Sequence, residues 1–166
     1  MFLAIFLDQI AIVTFLALLI WAAVGDYYRY LIPNALSVAA ALLFFVHVFA
    51  AAAPVDWVGG LITGGTVFFV GATMFAFRLL GGGDVKLLSA VALWAGPAQI
   101  IDVLLITGLA GGLLSLAMMT TFYLYRPGPA EISVSVPRVS RGKQYIPYGI
   151  AIAAGGFYVG ARLLTE

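Results

Sequence analysis

The chain has 166 residues, of which 64% are apolar and 9% are charged, and its formal net charge is +1. A typical soluble domain carries about a quarter charged residues, so this composition excludes an ordinary soluble domain and predicts an integral membrane protein. The absence of cysteine and the single histidine exclude disulfides and the usual zinc sites. We expect no metal and no cofactor, and no basic patch with interleaved aromatic residues indicates nucleic acid as a partner.

Six apolar runs follow one another along the chain, each ending at charge, proline or glycine. Continuous runs predict helices rather than the alternating strands of a barrel. We therefore predict an all-α, polytopic membrane protein with about six transmembrane helices, near residues 2–24, 35–53, 57–80, 85–95, 100–125 and 145–164. The fourth run would rise only about 16 Å, half the hydrocarbon thickness, so this helix is either short or continues with a kink through Gly96 and Pro97.

The basic residues are divided unequally between the two sides that six spans define. Arg162 stands alone on one side, and seven residues lie in the loops after spans one, three and five: Arg29, Arg78, Lys86, Arg126, Arg138, Arg141 and Lys143. This asymmetry predicts that those loops, including residues 126–144, are cytoplasmic and that both termini are outside. Trp57 and Trp94 are then expected at the outer membrane interface and Trp21 at the inner one.

Small residues with a four-residue spacing predict close packing between helices, because glycine lets two backbones approach. The chain has three such pairs: Gly60/Gly64, Gly108/Gly112 and Gly156/Gly160.

The seven acidic residues differ in what their positions mean. Five lie near outer helix ends or in loops, where a solvated carboxylate needs no special explanation: Asp8, Asp56, Asp102, Glu131 and Glu166. Asp26 and Asp84 instead fall at the cytoplasmic ends of spans, inside apolar or aromatic sequence. His47, within the second run, is expected to pack in the bundle rather than to catalyse.

Asp26 lies in a segment that ends one helix and starts the next. Pro33 forbids a continuous helix, and Asn34 is a good N-cap for the second span. Considered alone, the pattern favours a surface ion pair between Asp26 and Arg29 over a catalytic role.

Asp84 follows three glycines, Gly81 to Gly83, and precedes Lys86 by two residues. Glycines permit backbone geometry that is closed to other residues, and Asp84 would then be the N-cap or first residue of the fourth span. A simple turn with a capping aspartate is the alternative. Lys86 could steady a nearby negative charge or extend to the membrane interface.

Asp26 and Asp84 are 58 positions apart, on different helices but at the same membrane face, so they could meet across the bundle. A pair of aspartates can activate water when the ionised member takes the water proton and the protonated member polarises the substrate carbonyl.

These patterns together resemble the type IV prepilin peptidases, which are polytopic GxGD aspartyl proteases. The resemblance rests on three patterns in the right order: Asp26 before Ile32, Pro33 and Asn34; Gly81, Gly83 and Asp84 before Lys86; and Pro147, Tyr148 and Gly149 at the start of the last span. It implies that Asp26 and Asp84 are the catalytic pair. The supporting residues would be Gly81, Gly83, Lys86, Ile32, Pro33, Asn34, Pro147 and Gly149.

The implied substrate is a prepilin whose short basic leader precedes an apolar helix, cleaved at the cytoplasmic face of the inner membrane. Larger members of the family add a domain with paired CxxC motifs and methylate the new N-terminus. This chain has no cysteine, so the resemblance implies one transmembrane peptidase domain over residues 1–166, without a methyltransferase domain. It is similar to the short form associated with Flp-type tight-adherence pili.

Three other readings stay open at the level of the sequence. An archaeal preflagellin peptidase would share the same motifs. A small proton or cation transporter subunit could also use Asp26 and Asp84, and a structural assembly subunit would need neither. The sequence leaves the oligomeric state undetermined.

Overall fold

The computed structural model describes residues 2–124 and 146–165. Within these ranges the chain forms five helices: α1 (Phe2–Arg29), α2 (Asn34–Ala50), α3 (Trp57–Ala76), α4 (Gly82–Leu124) and α5 (Tyr148–Thr165). The all-α prediction is confirmed for this part of the chain. Residues 126–144, predicted to form a cytoplasmic loop, lie outside the described residues.

The fourth and fifth predicted helices are the two parts of one long element, α4. Its helical geometry is interrupted at Gly96, where φ is 56° and ψ is −172°. Glycine adopts this left-handed conformation without steric cost, and Pro97 lacks the N–H that a continuous helix would use. The fourth and fifth predicted helices are thus two helical segments on either side of a break at Gly96 and Pro97, the position that the sequence indicated.

Three helices are long and apolar enough to cross a membrane, judged by length and composition: Phe2–Arg29, Trp57–Ala76 and the Gly82–Thr121 part of α4. Helix α2 is also apolar but has 17 residues. These features support a polytopic membrane protein, in which three of the predicted spans meet the criterion.

The first part of α4, before the break, lies at the centre of the bundle. Helix α4 packs against α2, α3 and α5, and α1 packs against α2 and α5. Large side chains from four helices are fully buried where these elements meet, among them Phe15, Leu19, Phe44, Val91 and Ile152. The core therefore holds the last turns of α1 and the start of α4 in fixed relation.

Two of the three predicted glycine pairs lie at helix contacts. A Cβ added at Gly60 would come within 2.8 Å of the Leu93 carbonyl oxygen, and one at Gly156 would lie 3.2 Å from Val91 Cγ2. A Cβ at Gly108 or Gly112 would meet no atom within 4 Å. The packing prediction therefore holds for the pairs in α3 and α5 and is wrong for the pair in α4.

Trp94 is buried among the helices, which the sequence did not predict. Its ring stacks on Phe15 with centroids 4.4 Å apart, and its Nε1–H donates to the Ala40 carbonyl oxygen at 2.8 Å. The indole N–H thus has a partner inside the bundle and does not need the interface. Trp57 and Trp21 are exposed, as an interfacial position requires.

Asp8 and His47 form a pair at the end of the bundle far from Asp26. His47 Nδ1 lies 2.5 Å from Asp8 Oδ1, and the imidazole stacks on Trp94 with centroids 5.2 Å apart. His47 is buried, as predicted. Asp8 differs from the solvated carboxylate that we expected, because its side chain is largely buried. The contact to His47 compensates for the lost contact with water.

Candidate active site

Asp26 lies in the last turn of α1, which continues five residues past its predicted end at Val24. Its side chain is buried, with 7% of the residue exposed. The helix ends where the Tyr30 N–H donates to the Asp26 carbonyl oxygen at 2.9 Å and Tyr30 adopts a φ of 50°. A left-handed conformation is uncommon for a bulky residue, and here it turns the chain toward Ile32 and Pro33.

Asn34 is the first residue of α2 and not its N-cap. Pro33 occupies the N-cap position with φ −59° and ψ 133°, and no side chain caps the helix. The Asn34 side chain is engaged elsewhere, because its Oδ1 accepts a 2.9 Å hydrogen bond from Lys86 Nζ. Lys86 thus links the segment after α1 to the first turns of α4.

The three glycines before Asp84 allow neighbouring atoms to approach closely, and none of them has a positive φ. Helix α4 already begins at Gly82, so Asp84 lies in its first turn and is not its cap. Among the glycines that the structure describes, Gly96 alone has a positive φ. A Cβ at Gly81 would lie 2.6 Å from Asp84 Oδ2, and one at Gly83 would lie 3.2 Å from Ile32 Cβ.

The start of α5 supplies a direct contact to Asp26. The Gly149 N–H donates to Asp26 Oδ2 at 2.7 Å, across 123 positions of sequence. A Cβ at Gly149 would lie 2.9 Å from both Asp26 Cβ and Oδ2, so only glycine brings this amide so close to the carboxylate. Pro147 is buried beside it and opens the first turn of α5 through a 3.3 Å bond from the Ile150 N–H.

Asp26 and Asp84 line one cavity of about 460 Å³. Eight of the ten residues singled out in the sequence form part of its wall: Asp26, Ile32, Pro33, Asn34, Gly81, Gly83, Asp84 and Lys86. Gly149 does not line the cavity but donates a hydrogen bond to Asp26, which does. Pro147 immediately precedes α5. The sequence did not single out Tyr30, Leu31, Gly82 or Ile146, which also line the cavity.

The two carboxylates come from different helices and line the same cavity. The alternative in which Asp26 pairs with Arg29 is not observed, since the ion pair found among the described residues joins His47 to Asp8. Within residues 2–124 and 146–165 no group of three histidine or acidic side chains could hold a metal ion. The arrangement instead offers two carboxylates at the wall of one cavity.

Comparison with known proteins gives two matches that agree with this geometry. The model of the Type IV leader peptidase family matches residues 13–116, well over half of the chain, and this range contains both aspartates. The prepilin leader peptidase/N-methyltransferase of Bacillus subtilis (strain 168) is 31% identical over 155 residues, which are 90% of this chain and 54% of that protein. The chain therefore spans about half the length of this relative. No solved structure matches the chain.

Proposed function

Because the chain belongs to the Type IV leader peptidase family, we propose that it is an aspartyl endopeptidase that removes the short basic leader from a type IV prepilin. Asp26 and Asp84 are the catalytic pair. The observation that carries this proposal is the shared cavity, in which the carboxylates of α1 and α4 face the same 460 Å³ space.

The chemistry needs one proton shared between two carboxylates. The ionised aspartate takes a proton from water as the oxygen attacks the scissile carbonyl, and the protonated aspartate donates to the carbonyl oxygen. The first aspartate then gives its proton to the leaving nitrogen while a hydroxyl of the tetrahedral intermediate returns a proton to the second, so that the C–N bond breaks and the pair again holds one proton. The Gly149 N–H holds one oxygen of Asp26, which leaves the other oxygen for water.

We place the cavity at the cytoplasmic side of the inner membrane. Arg29, Arg78 and Lys86 lie at the same end of the bundle as the cavity, whereas Arg162 lies at the other end of α5. A basic excess on one side favours the cytoplasm. A substrate with a basic leader would be held on this side of the membrane for the same reason.

Within the family we propose the form that cleaves Flp-type prepilins without methylating the new N-terminus. Support comes from the absence of cysteine in the sequence, since members that methylate carry paired CxxC motifs. Mass spectrometry of the mature product, formed with S-adenosylmethionine present, should give the unmodified N-terminal mass. A product heavier by one methyl group would contradict this part of the proposal.

The test uses purified protein and a synthetic precursor made of a basic leader followed by an apolar helix. We expect a single cut at the leader boundary, which Asp26→Asn and Asp84→Asn should each abolish while membrane insertion stays normal. Removal of either partner should be as damaging as removal of both, because the pair acts as a unit. Near wild-type cleavage by either variant would refute the assignment.

Asp56→Asn and Asp102→Asn are the matched controls. Asp56 caps α3 by accepting from the Gly59 N–H at 2.9 Å, a role that asparagine can keep. Asp102 accepts from the Tyr158 hydroxyl at 2.9 Å, away from the cavity. Both variants should cleave the precursor at the wild-type rate.

A further inference from the structure

A second cavity of about 370 Å³ lies between α2 and α3, with α4 as its floor. We call it the α2/α3 groove. Its wall is mostly apolar and includes Val38 of α2, Leu61 and Phe68 of α3, and Leu93 of α4. Because α3 and α4 are both candidate membrane spans, the groove lies along helices that face lipid.

The groove adjoins the candidate active site. Lys86 lines both the groove and the cavity that holds the two aspartates. Near the other end of the groove α2 and α3 are in contact, since a Cβ at Gly60 would lie 2.9 Å from Phe44 Cζ.

One feature of the wall suits an incoming helix. Gly65 is exposed and faces open space, with no atom within 4 Å of an added Cβ. A helix that approaches the wall at this position can therefore pack close to the backbone of α3.

We propose that the α2/α3 groove receives the first two turns of the apolar helix that follows the cleavage site of the precursor. The inference rests on the proposed function, which puts the scissile peptide bond at Asp26 and Asp84. The substrate chain would then leave the catalytic cavity past Lys86. From Lys86 to Leu93 the floor of the groove is about 10 Å long at 1.5 Å per residue, which matches two turns of an apolar helix.

The steric test is Gly65→Leu, with Gly108→Leu as its control. Both glycines are exposed helical positions with open space at Cβ, so leucine should not disturb folding. Leucine at position 65 would occupy the groove and should raise KM for the leader-plus-helix precursor roughly tenfold, the cost of displacing one buried apolar side chain. The kcat of Gly65→Leu should stay near the wild-type value, and so should both kcat and KM of Gly108→Leu.

A cross-linking test identifies the occupant. The chain has no cysteine, so Gly65→Cys in an Asp84→Asn background gives a single thiol in a protein that keeps its substrate. A precursor with one cysteine in the second turn after the cleavage site should form a disulfide with this variant and not with Gly108→Cys.

The outcomes separate the two proposals. Normal KM for Gly65→Leu, equal losses in both leucine variants, or no cross-link at position 65 would overturn the groove assignment while precursor cleavage by the wild type stands. The last result would leave a lipid acyl chain as the occupant. Failure of the wild type to cleave the precursor would overturn the proposed function and the groove assignment with it.

Discussion

Gly149→Ala tests whether the start of α5 positions Asp26 for catalysis. The added methyl group would lie 2.9 Å from Asp26 Cβ and Oδ2 and 3.2 Å from its Cγ. Because these atoms are buried, the carboxylate must move, and the 2.7 Å hydrogen bond from the Gly149 N–H is strained or lost. A hydrogen bond to a charged group contributes about 1.5–3 kcal/mol. If this stabilisation is lost in the transition state, kcat/KM should fall about 10- to 100-fold.

The assay is cleavage of the synthetic precursor followed by mass spectrometry, with thermal unfolding in detergent measured in parallel. Gly155→Ala is the control, because a Cβ there would lie 2.5 Å from Thr107 Oγ1 and 3.0 Å from the Val103 carbonyl oxygen, away from the cavity. Both variants should unfold at lower temperature than the wild type. Only Gly149→Ala should lose most of its activity, and equal activity in the two variants would refute a positioning role for Gly149.

Three further expectations follow from the same geometry. Lys86→Met removes the bond to Asn34 and should lower kcat/KM about two- to tenfold, with Asn34→Ala giving a similar and non-additive loss, measured in a double-mutant cycle. Gly83→Val would force branched methyl groups against Ile32 and should reduce cleavage more than Gly112→Val. Cleavage should persist in excess chelator, and loss that a particular cation restores would contradict a mechanism of two aspartates alone.

The helices could be predicted from the sequence because apolar runs are local features of the chain. The ends of the helices were harder to predict. Hydropathy falls at Gly25 and Asp26, yet backbone hydrogen bonding carries α1 on to Arg29. The sequence indicated the interruption between the fourth and fifth predicted helices at Gly96 and Pro97, but not the positive φ of Gly96 that forms it. The burial of Trp94 could not be predicted, because burial depends on which helices surround a residue and not on its position along one apolar run.

The motifs identified most residues of the candidate site but not their contacts. Lys86 and Asn34 are 52 positions apart, and Gly149 and Asp26 are 123 apart. No local pattern encodes a hydrogen bond over such distances. The positive φ of Tyr30 could not be predicted, because a positive φ is expected mainly at glycine or asparagine. The role of Gly81, Gly83 and Gly149 could be seen only in the structure, because it depends on which atoms a Cβ at each position would contact.

The two ends of the bundle are built in different ways, and this difference bears on catalysis. At the far end, the Trp94 ring packs against Phe15 and His47, and the Asp8 contact to His47 ties α1 to α2. At the other end, a cavity lies between the last turn of α1 and the first turn of α4. Since α1 carries Asp26 and α4 carries Asp84, the contacts at the far end help to fix the helices that set the spacing of the two carboxylates. Under the proposed function, the two carboxylates are then in place before a peptide enters, and the substrate does not have to assemble them.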